Sequence, residues 1–245
     1  MKRPAFLLLL LTMATHLANA AGPAARPVFR DGLKAHEAQD FTRAAELFAQ
    51  AGRQAPLEKL DPAVACHNEG HALYRAGKFD EAFAAFSRAR QTTDLALQAK
   101  ALYGAATCRI RQVALALEMK QGEYIEPYLA EAQALYEQAL LLSPSDMDTK
   151  INLELVQAQR AALQRGVEQL QLVISQAGSA LDQYRFEQAH ALLQDAQQKL
   201  APVLALPRPE AKSFQTLLQR CEQVLGILHQ AEPPAPAPAT PGGSV

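Results

Sequence analysis

Asn68-Glu69-Gly70-His71-Ala72-Leu73-Tyr74-Arg75-Ala76-Gly77-Lys78-Phe79-Asp80-Glu81-Ala82 runs directly into Phe83-Ala84-Ala85-Phe86-Ser87-Arg88-Ala89, and this stretch decides the fold. Its second part places Ala82 three residues after Phe79, Phe86 four further on, and Ala89 three beyond that. Residues three and four apart share one face of an α-helix. The spacing therefore predicts a helix with a stripe of alternating aromatic and small side chains. Alanines let an antiparallel neighbour approach closely, while the aromatic ring fills the space beside them.

The same spacing returns in Phe41, Ala44, Phe48 and Ala51, in Leu129, Ala132, Tyr136 and Ala139, and in Phe186, Ala189, Leu193 and Ala196. A second amphipathic segment precedes each block. Gly32, Gly70 and Ala177 stand twelve positions before Ala44, Ala82 and Ala189, and a large side chain there would push the helix pair apart. Self-similarity of this kind marks a repeat architecture.

The pattern resembles the tetratricopeptide repeat (TPR), a helix–turn–helix unit of about 34 residues. Pro56 and Pro144 fall where such a unit ends, since proline cannot continue a helix. The resemblance implies an all-α fold, a right-handed superhelix of antiparallel helix pairs, with repeats near 25–58, 63–96, 99–146 and 170–203. Ala106 and Ala132 are separated by fourteen residues more than their counterparts, so the third hairpin should be longer by about two turns on each arm. Met147 to Gly166 reads as an unpaired first helix. Pro209 to His229 carries Phe214, Leu217, Leu218, Cys221, Val224, Leu225 and Leu228 on one side and should cap the last repeat. The domain plan is thus repeats 1–3 over 25–146, then an extra helix, a fourth repeat and a cap over 147–229.

The ends read differently. Lys2 and Arg3, the apolar run Ala5 to Leu11 and Ala18-Asn19-Ala20 have the order of a secretory signal peptide over 1–20. The apolar run is short for the ~30 Å of a bilayer core, so the mature chain is expected to be exported without a membrane span, to the periplasm. From Glu232 the sequence turns to Pro-Pro-Ala-Pro-Ala-Pro, and an extended, disordered tail is expected over 230–245.

Composition narrows the partners. The formal net charge is −1, there is no run of like charge, and nothing would neutralise a row of phosphates, so nucleic acid is not an expected partner. The odd, widely spaced Cys66, Cys108 and Cys221 do not form a disulfide framework; buried free thiols or a Cys66–Cys108 bridge are the two readings. No Gly-x-Ser-x-Gly elbow, phosphate-binding Gly-rich loop or apolar carboxylate pair occurs, and His36, His190 and His229 are scattered. The chain is therefore read as a non-enzyme without a cofactor.

In the repeat family the first helices line a concave groove. Carried over by position, that groove would present His67, His71, Tyr74 and Arg75 from the second repeat, and Lys100, Tyr103, Thr107, Ile110 and Arg111 from the third. Such a surface suits a protein or peptide partner of acidic or amide-rich character. The basic-plus-Asn clamp of chaperone-binding relatives is not reproduced, because Phe29 and Leu33 occupy two of its positions. Asn68 is expected to tie adjacent helices together. More narrowly, Asn68 to Tyr74, the long third hairpin, and Ser143-Pro144-Ser145-Asp146 leading into Asn152-Leu153-Glu154-Leu155-Val156 resemble the periplasmic TPR proteins encoded beside MoxR-type ATPases and von Willebrand factor A-domain proteins, the Bat or aerotolerance-type clusters. Two other functions are weighed. His67 and His71, at i and i+4, match a metal-ligand spacing, but Asn68 stands where a zinc protease needs Glu; the pair would serve a metal- or small-ligand-binding protein. The long third hairpin would serve a self-assembling subunit.

Overall fold

The computed structural model describes residues 24–231, so the expected leader over 1–20 and the Pro-rich stretch from Glu232 lie outside the described residues. Those described form ten α-helices and no strand. In chain order they are α1 (Ala25–Glu37), α2 (Phe41–Gln54), α3 (Ala63–Arg75), α4 (Phe79–Ala89), α5 (Leu95–Glu118), α6 (Ile125–Leu142), α7 (Met147–Asp182), α8 (Phe186–Lys199), the single turn α9 (Ala201–Leu204) and α10 (Pro209–Ala231). The chain divides into two compact units, Met1–Met119 with Tyr124–Ala158, and Lys120–Glu123 with Gln159–Val245.

Local chemistry accounts for the helix boundaries. Asp40, Asp94 and Asp146 stand before α2, α5 and α7, and their carboxylates accept from Arg43 N at 3.1 Å, Ala96 N at 2.9 Å and Asp148 N at 3.1 Å. Each thereby satisfies an amide that has no partner inside its own helix. Three first helices end in one and the same turn. Gln39, Gly77 and Tyr184 adopt φ of 60°, 78° and 61°. Each donates its N–H three residues back, to His36, Tyr74 and Leu181, while the next residue donates five back, to Ala35, Leu73 and Ala180. Closing the last carbonyls this way ends a helix and reverses the chain. Only Gly77 adopts that backbone without steric cost.

In the first unit, α1 to α6 pack as consecutive antiparallel pairs. Phe29 meets Phe48 at 5.2 Å between ring centroids while His36 meets Phe41 at 5.3 Å, so α1 and α2 run in opposite directions. The recurring aromatic is the packing key. A Cβ built on Gly32 would stand 2.9 Å from the Phe48 ring, and one on Gly70 would stand 2.8 Å from Phe86. Phe86 also lies against Gly104 of α5, where a Cβ would come within 2.6 Å. A single ring, 1% exposed, thus fills a slot between two glycines and joins one helix pair to the next. The third pair has arms of 24 and 18 residues, against 13 and 11 in the second.

The second unit has its own core. Val167, Leu170, Ala177, Ala180 and Leu181 of α7 pack with Ala189, Leu193 and Ala196 of α8, Val203 of α9, and Phe214 and Cys221 of α10. Phe214 and Cys221 are buried and Leu217 and Leu218 partly so, but Leu228 remains 48% exposed, so the apolar side of α10 is covered only over its first part. The boundary expected near Gly166 does not occur. Met147 to Asp182 is one helix of 36 residues, and the division between units falls inside it. Ala161, Ala162, Leu163, Gln164 and Arg165 are all strong helix formers, and one interior glycine costs only about 1 kcal/mol. A Cβ on Gly166 would lie 2.5 Å from Val203 Cγ2, so that glycine permits close packing instead of breaking the helix.

These glycines make opposite predictions. Gly70→Val should destabilise by about 1–3 kcal/mol through overpacking against Phe86. Gly178→Ala, where nothing lies within 4 Å of an added Cβ, should stabilise by roughly 0.5–1 kcal/mol. Urea denaturation of the two variants checks both signs.

Candidate functional site

Most of the residues expected to line a binding surface come together on the first helices of successive pairs. His67 and His71 of α3 sit with ring centroids 4.7 Å apart, and both meet Phe86 edge-on, at 5.6 and 5.3 Å. One turn further, the Tyr74 hydroxyl accepts from Arg111 Nε of α5 at 2.8 Å. On α5 the Thr107 hydroxyl donates to the Tyr103 carbonyl at 2.9 Å and stands 3.1 Å from the hydroxyl of buried Tyr136. Asn152 of α7 donates to the Tyr103 hydroxyl at 3.1 Å. Side chains of α3, α5 and α7 are therefore linked across one face, without a break from Tyr74 to Arg111 or from Tyr103 to Asn152.

Lys100 lies on α5 close enough to His67 to oppose its protonation, Ile110 is half-buried beside Arg111, and Arg75 turns away, its guanidinium 4.5 Å over the Phe41 ring. Asn68 departs from expectation. Its amide donates to the Val64 carbonyl of its own helix at 2.8 Å, because four residues back on the same face an i−4 carbonyl is the nearest acceptor. The inter-helix hydrogen bond is made by Asn152 instead. Among the described residues neither Lys100 nor Arg111 forms an ion pair, so two cations face outward without counter-charge.

Two features escaped the sequence reading. Tyr136 shares the repeat spacing of Phe48 and Phe86, but the contact of its hydroxyl with Thr107 was not foreseen; the hydroxyl was the available clue, since a buried phenol finds a hydrogen-bond partner. Arg109, between the α5 candidates Thr107 and Arg111, lies on the opposite side. Its Nε donates to Glu131 of α6 at 2.6 Å and its Nη1 to Gln112 at 2.7 Å, its guanidinium sits 3.6 Å over Phe83, and Gln112 in turn donates to Asp80 of α4. This network fastens α4, α5 and α6 together.

The remaining chemistry is quiet. Cys66, Cys108 and Cys221 are buried free thiols; burial raises all three, Cys108 to about 12, which keeps them protonated and poor nucleophiles. The histidine pair offers two nitrogen donors, and among the described residues no three His, Cys, Asp or Glu side chains group to hold a metal. Nor, among them, is any helix long and apolar enough to cross a membrane. Two hollows accompany the first two helix pairs: a polar cleft of about 620 Å³ beside Arg53, Cys66, Glu69 and Arg88, and an apolar cavity of about 340 Å³ lined by Phe29, Ala51, Leu60 and Val64. No protein-family model matches the chain, and no curated protein does.

Burial against Phe86 lowers His67 to about 4, with His71 and Lys100 adding repulsion; burial, then His36, lowers His71. The unfolded chain, with ordinary histidines near 6.5, takes up these protons first. The stability held by the neutral pair is complete above pH 6.5 and drains away as pH falls toward 4. The melting temperature should fall across that window, and His67→Gln/His71→Gln should flatten the fall; scanning calorimetry from pH 7.5 to 4 measures it.

Proposed function

We propose that this chain is a non-catalytic TPR scaffold of the cell envelope, exported to the periplasm, that holds a protein or peptide partner on the face formed by α3, α5 and the start of α7. The observation that carries the reading is the set of side chains on that face. Lys100 and Arg111 are unneutralised, and Tyr74, Tyr103 and Asn152 hold a fixed array of hydroxyl, amide and ring surface around them. Aromatic and Arg side chains of this kind commonly dominate interface energetics. The cations favour an extended segment rich in acidic residues, by charge complementarity that also speeds encounter.

Recurring glycine–aromatic pairs and three copies of one turn support the TPR assignment and with it a right-handed superhelix. The leader-like 1–20 stretch supports export. The resemblance of the third hairpin and the segment after it to the TPR proteins of Bat-type clusters makes MoxR-type ATPases and von Willebrand factor A-domain proteins the first partners to try.

A pull-down from envelope extracts tests the reading. The wild-type chain should retain a partner that Lys100→Ala/Arg111→Ala loses at least tenfold, and raised salt should release it. Tyr103→Ala should weaken capture while leaving the fold intact. A partner retained equally by all variants would place binding elsewhere.

A further inference from the structure

The apolar cavity beside α1 is built, not left over. It is an open hollow of about 340 Å³ lined by Ala25, Phe29, Ala51, Ala55, Leu60 and Val64, together with Arg26 and Asp61. That is the size and the largely apolar lining of a small ligand site. Its cause is the connection between helix pairs. Residues 55–62 separate α2 from α3, whereas only 90–94 separate α4 from α5. The longer connection holds the helices apart over a floor of alanines.

The connection is also fastened open. Ala55–Glu58 forms a 3₁₀ turn. Glu58 Oε1 accepts from Ala25 N at 2.5 Å, Leu60 N donates to the Ala55 carbonyl at 2.9 Å, and Lys59 takes up φ of 56°. Asp61 accepts from Ala63 N at 2.8 Å and from the Thr92 hydroxyl at 2.5 Å, which uses both of its oxygens. Among the described residues Arg26 forms no ion pair.

We infer that this cavity is a specificity pocket for one large apolar side chain of the same acidic segment, and the inference rests on the function proposed above. Val64 stands one helical turn from His67 on the same side of α3, so a chain lying over the histidine pair toward Lys100 passes the cavity mouth. Val64 is 47% exposed there. From Val64 to Tyr74 the helix advances about 15 Å, which an extended peptide covers in roughly five residues. The apolar residue therefore sits within about five positions of the acidic residues that meet Lys100 and Arg111. The unpaired Arg26 favours a further acidic residue beside it.

Three fluorescein-labelled acidic dodecapeptides, alike except for Phe, Ser or Asp at one end position, test this by anisotropy with the full chain. The Phe peptide should bind at least tenfold tighter than the other two. Val64→Glu, at an exposed helix position, should erase that preference, and Ala55→Leu should reduce it by filling the cavity. Lys100→Ala/Arg111→Ala should weaken all three peptides by a similar factor. Equal binding of the three peptides, with the dependence on Lys100 and Arg111 kept, overturns the pocket alone. Loss of that dependence overturns the underlying reading as well. A shift to monomer on Val64→Glu, seen by light scattering of a self-associating wild type, would assign the cavity to a second copy of the chain and overturn the inference.

Discussion

The Phe86 ring occupies a slot that exists only because Gly70 and Gly104 have no side chains. Both glycines sit inside helices, where each costs about 1 kcal/mol relative to alanine, and the buried ring returns roughly 1.5–3 kcal/mol of apolar transfer. The two terms are of similar size, so what the seated ring fixes is chiefly geometry. With the ring seated, α3, α4 and α5 have one spacing, and the side chains of α3 and α5 on the far side of the ring fall into register. Tyr74 reaches Arg111, and the histidine pair rests edge-on against the same ring.

Structure and candidate site therefore share an atom group. Burial, to which the ring that spaces the helices contributes, disfavours the protonated forms of His67 and His71, and the cations of the candidate face are Lys100 and Arg111. Tyr136 extends the arrangement into the next pair. It fills the aromatic position, as Phe86 does, but its hydroxyl meets Thr107, and Tyr103 beside it bonds to Asn152. The packing position has acquired a polar function without losing its packing role.

The other side of α5 is organised by Arg109, which is neutralised by Glu131 and stacked on Phe83. One helix thus carries a face whose cation is neutralised and another whose cations are not. Arg109 and Arg111, two residues apart in sequence, differ in role because two positions on a helix are some 200° apart.

Much was legible in the sequence: the all-helical class, the pairing of helices, and the need for a small residue at Gly32 and Gly70. These follow from periodicity and side-chain volume, which are properties of neighbours three, four or twelve residues apart; that each glycine faces an aromatic ring, Phe48 or Phe86, came from the packing. The candidate surface residues other than Arg75 share a face of α3 or of α5 for the same reason, since helical phase places them there. The partners were not legible. That Asn68 bonds within its own helix while Asn152 reaches Tyr103, that Arg75 covers Phe41, and that Arg109 is spent internally depend on distances between helices far apart in sequence. The uninterrupted helix from Met147 to Asp182 likewise turned on whether Gly166 met solvent or Val203. Periodicity determined which residues share a face; only the tertiary packing, by setting what stands opposite each one, decided which remain free to bind.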